Sequence, residues 1–104
     1  QVEPVVAFRK KYNVPVWCGE FGCTRWADGA YEYLKDCLDT WEGLDIGWAY
    51  YSYREWYAMD IEKGTRDRSR QAPRYESELV KLFKSYYARN PQAQPRPAPR
   101  TGAN

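Results

Sequence analysis

The chain has 104 residues, 43% hydrophobic and 29% charged, an ordinary globular composition of about one domain's length. It contains no histidine, which excludes His-based metal sites and His-based triads, and no run of about 18 uncharged apolar residues that could cross a membrane as a helix. The net charge is only +2 and is uneven: residues 88–104 carry Arg89, Arg96 and Arg100 and no acid, while the other 87 residues hold 13 bases and 14 acids. That falls short of the continuous basic field that nucleic-acid binding normally requires.

Residues 3–12 place apolar side chains at 5, 8 and 12 with basic residues 9–11 at the end, the pattern of a short helix that Asn13 breaks. Val14 to Gly19 then reads as an apolar strand, with Pro15 tolerated near its start and Glu20-Phe21-Gly22 closing it. A loop over 22–29 follows. Asp28 is the expected N-cap of a second helix, whose apolar residues Tyr31, Leu34, Leu38 and Trp41 recur at helical spacing up to Gly43 in the C′ position. Residues 45–53, DIGWAYYSY, form a second, almost wholly apolar strand, as expected of one covered on both faces.

Residues 54–75 are polar and charged, with Arg66, Arg68, Arg70 and Arg74 close together. A loop of this length in a compact domain is usually functional or mobile. Leu79, Leu82, Phe83, Tyr86 and Tyr87 then give a third amphipathic helix. The segment 91–104 holds four prolines and no large apolar residue and reads as a disordered tail or linker. The chain begins at Gln1 and its single methionine is Met59, so it reads as a piece of a longer polypeptide.

Strands alternating with amphipathic helices specify an α/β fold with a parallel sheet. Two parallel strands do not stand alone: both faces and both edges want partners. The sheet is therefore expected to be completed by further chain or by another copy. Three cysteines, Cys18, Cys23 and Cys37, cannot all pair with one another. They read as free thiols acting as small apolar residues, with one bridge plus a spare thiol as the alternative in an oxidising compartment. The Cys-x4-Cys spacing without other soft ligands is a poor zinc signal, so no metal or other cofactor is expected.

Glu20 carries the chemical signal. It follows the first strand at its carboxyl end, where parallel α/β folds put their active sites. At the end of the second strand or just beyond it cluster Trp48, Tyr50, Tyr51, Tyr53 and Trp56, and some of these rings must be core. The remainder, beside a carboxylate, suit carbohydrate: sugar C–H faces stack on aromatic faces while a carboxylate attacks or stabilises the anomeric carbon.

These residues carry a resemblance. VPVWCGEFG at 14–22, a helix, and DIGWAYYSYREW at 45–56 resemble the last two strands of glycoside hydrolase family 5, the cellulases and related β-glycanases. The resemblance implies that residues 1–90 are the C-terminal quarter of a (β/α)8 TIM barrel: the end of helix six, strand seven, helix seven, strand eight and helix eight. It implies Glu20 as the nucleophile of a retaining mechanism and Tyr51 at the position of the eighth-strand aromatic platform. Trp26, Trp48 and Trp56 complete the expected substrate-binding set. The implied ligand is a β-linked polysaccharide or oligosaccharide, the implied partner is the missing N-terminal barrel segment, and the intact enzyme would be secreted. Neither a nucleic-acid partner nor a membrane is expected.

The barrel needs about 250 residues, and a retaining glycosidase needs two carboxyl groups about 5–5.5 Å apart. The family's acid/base sits in an Asn-Glu motif on strand four, and this chain contains none, so the isolated chain is expected to be inactive. Two other functions stay open: a non-catalytic carbohydrate-binding remnant, and a nucleic-acid or acidic-partner module built on KGTRDRSRQAPR at 63–74 with tyrosines for base stacking.

Overall fold

The structure, a computed structural model, describes residues 2–90. The expected tail or linker over 91–104 lies outside the described residues. Helix α1 spans Glu3–Tyr12, strand β1 Trp17–Phe21, helix α2 Ala30–Gly43, strand β2 Gly47–Tyr50, and helix α3 Glu78–Tyr87, with a 3-10 turn at Ile61–Lys63. The two strands pair in parallel, and α2 is the crossover between them.

Each helix boundary has a local cause. Pro4 sits in the first turn of α1, where its missing N–H is not needed, and Asn13 ends the helix at φ 50°. Ser77 caps α3, its Oγ accepting from Val80 N–H at 3.2 Å. Asp28 does not cap α2 as the sequence led us to expect: Gly29 holds the cap position at φ 77° with no side-chain cap bond. A left-handed entry suits glycine and leaves the preceding aspartate outside the helix. Gly43 is the last helical residue, and the positive φ falls on Asp45 instead.

Both strands are shorter or later than the apolar runs suggested. Leu44, Asp45 and Ile46 N–H groups bond back to the Thr40, Glu42 and Trp41 carbonyls, so these residues belong to the exit of α2 and β2 starts only at Gly47. Because a strand exists only where it has a partner, β1 starts opposite it, at Trp17. At the far end a turn takes over: Arg54 has φ 58°, the Tyr51–Ser52 peptide is cis, and Ser52 Oγ accepts from Trp56 N–H at 3.2 Å.

One apolar face closes the core. Phe21 from β1, Leu34 and Leu38 from α2, and Leu79, Leu82, Phe83 and Tyr86 from α3 are buried together. The Phe21 ring lies 5.7 Å from Trp48, 5.8 Å from Tyr50 and 6.2 Å from Phe83 between ring centres, mostly edge to face, as ring quadrupoles favour. Tyr31, expected on the buried stripe of α2, is exposed. Helix α1 buries no residue, leaving Val5, Phe8 and Tyr12 in water. Its tether is Arg9, which donates to the Leu44 and Asp45 carbonyls.

The polar segment after β2 is folded around buried charge. Arg25 is completely buried; its guanidinium donates to the carbonyls of Tyr57 (2.8 Å), Gly64 (2.9 Å), Lys63 (3.4 Å), Ser69 (3.3 Å) and Asp67. Lys63 is also buried, its Nζ donating to the Arg70 and Ala72 carbonyls. Buried Asp60 pairs with Arg74 at 2.9 Å and caps the 3-10 turn. Two of the five bases in the 63–74 stretch are thereby committed internally, which shortens the exposed basic run that the sequence suggested.

Candidate functional site at the carboxyl end of the strands

Trp17 aligns with Gly47 and Cys18 with Trp48, but Phe21 aligns with Tyr50. Gly19 and Glu20 therefore stand opposite Ala49 alone, a one-residue bulge. Bulges re-aim side chains and recur beside functional sites. Glu20 sits in this bulge one residue before β1 ends, with its side chain exposed. Its carbonyl accepts from Cys18 Sγ at 3.4 Å.

The ladder continues past the bulge: Tyr51 N–H donates to the Phe21 carbonyl at 2.9 Å, which sets Tyr51 beside the end of β1. Gly22 makes this approach possible. A Cβ there would lie 2.4 Å from the Tyr51 carbonyl oxygen and 2.8 Å from Met59 Cε, so no larger residue fits without moving the chain. The Tyr51 hydroxyl is held protonated above its ordinary range, first by the Glu55 charge, then by desolvation, by a hydrogen bond with Glu55 and by the Glu20 charge. Two carboxylates, Glu20 and Glu55, thus act on one phenol at the end of the parallel pair.

A second group of rings lies on the loops that leave the strands. Trp26 on the first and Trp56 on the second are joined by Tyr57, with ring centres 6.0 Å from Trp26 and 5.1 Å from Trp56. Arg25 lies 4.9 Å over Trp26, and Arg70 lies 4.6 Å over Tyr57 and 5.9 Å over Trp56. The Arg25 N–H donates to the Ala58 carbonyl at 2.8 Å, so backbone and side chain together clasp the two loops.

Of the expected site residues, the structure brings Glu20 to Tyr51 and Trp26 towards Trp56 through Tyr57. Trp48 stands apart from both groups. Its ring packs on Phe21, Phe83 and Tyr87, and its indole N–H donates to Glu42 at 3.0 Å. It helps line a hollow of about 450 Å³ with Trp17, Trp41, Gly47 and Tyr87, at the amino ends of the strands and away from Glu20. Tyr50 is core as well, its hydroxyl donating to the Met59 carbonyl at 2.6 Å, and burial raises its pKa.

Arg25 and Tyr57 were not among the sequence candidates. A lone arginine in a loop has no periodicity to betray its burial, and Tyr57 lies past the strand pattern. Cys18, Cys23 and Cys37 are free thiols, half-buried against the core. Burial raises the thiol pKa values of Cys23 and Cys37. Among the described residues no group of three or more Cys, Asp or Glu side chains is placed to hold a metal ion, and no helix is long and apolar enough to cross a membrane.

No protein-family model matches the chain. Part of it is similar to endoglucanase C of Acetivibrio thermocellus and to endoglucanase C307 of Clostridium sp. (strain F1), in each case 33% identical over 69 residues, covering 64% of this chain and 19% of the relative. The chain thus spans about a fifth of the length of the curated relatives it matches. The similarity links it to cellulase-type glycoside hydrolases at a coarse level and designates no catalytic residue.

Proposed function

We propose that this chain is the C-terminal quarter of a (β/α)8 barrel glycoside hydrolase of family 5 type, acting on β-linked polysaccharide with Glu20 as nucleophile. The carrying observation is the Glu20 bulge beside Tyr51 at the carboxyl ends of two parallel strands, the end where such barrels work. The partial similarity to endoglucanases supports the same reading, as do the unpartnered residues of α1, which a preceding strand and helix would cover.

On this reading Glu20 attacks the anomeric carbon as the leaving oxygen takes a proton from an acid/base supplied by the earlier strands; water then releases the sugar from the glycosyl-enzyme. Tyr51, kept protonated with its hydroxyl directed to Glu55, offers its ring to the sugar beside the attacking carboxylate. The whole enzyme would be secreted to meet its polymer. The isolated chain lacks the second catalytic carboxyl group and does not hydrolyse.

Reconstitution tests this. A hybrid joining the first six strands of a related endoglucanase to this chain should release reducing sugar from β-glucan. Glu20→Gln in that hybrid should lower turnover by about a thousandfold or more. An active hybrid indifferent to Glu20→Gln overturns the nucleophile assignment. Hydrolysis by the isolated chain overturns the dependence on a missing segment.

A further inference from the structure

The ring group on the exit loops carries an ionic feature that neutral glucan does not use. Arg70 lies over Tyr57 and Trp56, and among the described residues it has no carboxylate partner, whereas Arg54 is held by Glu62 and Arg74 by Asp60. Its backbone is fixed, because the Arg70 carbonyl accepts from buried Lys63 Nζ at 2.6 Å. Trp56 keeps 44% of its surface exposed beneath it. A planar guanidinium on a fixed backbone, stacked on rings and free of an internal acid, presents a fork that matches a carboxylate.

We propose that Trp26, Tyr57, Trp56 and Arg70 form a subsite for an acid-bearing sugar, the rings stacking on the pyranose and Arg70 binding the carboxylate of a uronate residue in a β-linked glycan. This rests on the carbohydrate reading above and narrows its substrate class. Charge complementarity selects the occupant: Arg68 and Arg70 are exposed on the same loop, and the only acid between them and Arg66, Asp67, is engaged by the Ser69 N–H at 2.8 Å. A neutral glucan would leave the fork to water.

The test uses the full chain and two probes, a β-linked gluco-oligosaccharide and the same oligosaccharide oxidised at C6 to the uronate, titrated by tryptophan fluorescence. The oxidised probe should bind about tenfold more tightly at low salt, the effect of one charge-assisted bidentate contact. Arg70→Gln should remove that preference, Arg70→Lys should keep only part of it, and Trp56→Ala should weaken both probes alike. Equal affinity for the two probes, or a preference that survives Arg70→Gln, overturns the subsite and leaves the carbohydrate reading standing. Binding of neither probe overturns the subsite, while the glycosidase reading is judged separately by the hybrid enzyme. An oligonucleotide bound as tightly as the uronate overturns the sugar assignment in favour of a general polyanion surface.

Discussion

Arg25 and Tyr57 join the two loops at the carboxyl end of the sheet: the guanidinium Nε donates to the Tyr57 carbonyl at 2.8 Å, and the same side chain reaches four further carbonyls of residues 63–69. Two of these acceptors, the Lys63 and Gly64 carbonyls, are buried and the others are partly so, and the cation acts as their internal solvent. Truncation leaves several of them unmet. Arg25→Ala should therefore destabilise by about 3 kcal/mol or more, enough to unfold a small domain. Arg25→Lys keeps the charge but not the fork and should recover only part of the loss. Guanidinium denaturation would be confounded by the added cation, so urea melts followed by circular dichroism are the measurement.

Gly22 and Gly43 should respond oppositely to the same added methyl group. At Gly22 the Cβ meets the Tyr51 carbonyl and Met59, whereas at Gly43 it meets nothing within 4 Å. Gly22→Ala should cost about 1–3 kcal/mol through overpacking, and it should displace Tyr51 from Glu20. Gly43→Ala, at the last residue of α2, should stabilise by about 0.5 kcal/mol through reduced freedom of the unfolded chain. Paired thermal melts check both signs at once.

Stability should fall with acid. Arg54 holds Glu62 below the ordinary carboxylate range, the Thr65 hydroxyl does so for Glu78, and the Ser69 side chain and N–H do so for Asp67. Each group therefore binds its proton more readily in the unfolded chain, so stability rises with pH across the interval between the two pKa values. The contribution is fully present above the ordinary values, 4.5 for glutamate and 3.8 for aspartate, and disappears as pH falls through the depressed folded values. Tm measured between pH 7 and pH 3 should drop mainly below about pH 4.5, and Arg54→Gln should flatten part of that drop. A Tm unchanged down to pH 3 contradicts the pairing.

What could be read from the sequence was whatever repeats with a period. The helices at 3–12, 30–43 and 78–87 follow from apolar spacing, and the crossover helix between two apolar runs implied the parallel pairing that β1 and β2 make. Glu20 was legible because a charged residue ending an apolar strand is conspicuous. The bulge that holds it was not, since register arises from two segments together and neither sequence alone encodes it. The order in residues 54–75 was hidden for a related reason. Arg25, Asp60 and Lys63 look like solvent-facing residues until the carbonyls that surround them are placed, so a charged segment that suggested mobility is a packed one. Trp48 and Trp56 are alike in composition, yet α3 covers the first and leaves the second exposed.

The thiols provide a check on compartment and packing together. Burial raises the pKa of Cys23 and Cys37, which lowers the thiolate fraction that reacts with a disulfide reagent. In the native chain at neutral pH these two should label slowly, while urea should release three equivalents, matching the three free cysteines. Fewer than three on unfolding would reveal a bridge. Rapid native labelling of Cys37 would place it outside the α2–sheet contact.

Ser77 and Asp28 separate what caps a helix from what only precedes one. Ser77 is buried, its Oγ accepts from Val80 N–H at 3.2 Å, and its hydroxyl donates to the Ile61 carbonyl at 2.6 Å. Ser77→Ala removes a cap and one of the two donors to the Ile61 carbonyl, which keeps the Gly64 N–H at 3.2 Å, so it should cost about 1–2 kcal/mol. Asp28 is exposed and Gly29 intervenes before α2, so Asp28→Ala should stay within about 0.5 kcal/mol of the parent. For a domain of this size the first change shifts Tm by about 4–8 °C per kcal/mol, well resolved from the second in a calorimetric scan. Comparable losses at the two positions would mean that α2 begins one residue earlier, with Asp28 as its cap after all.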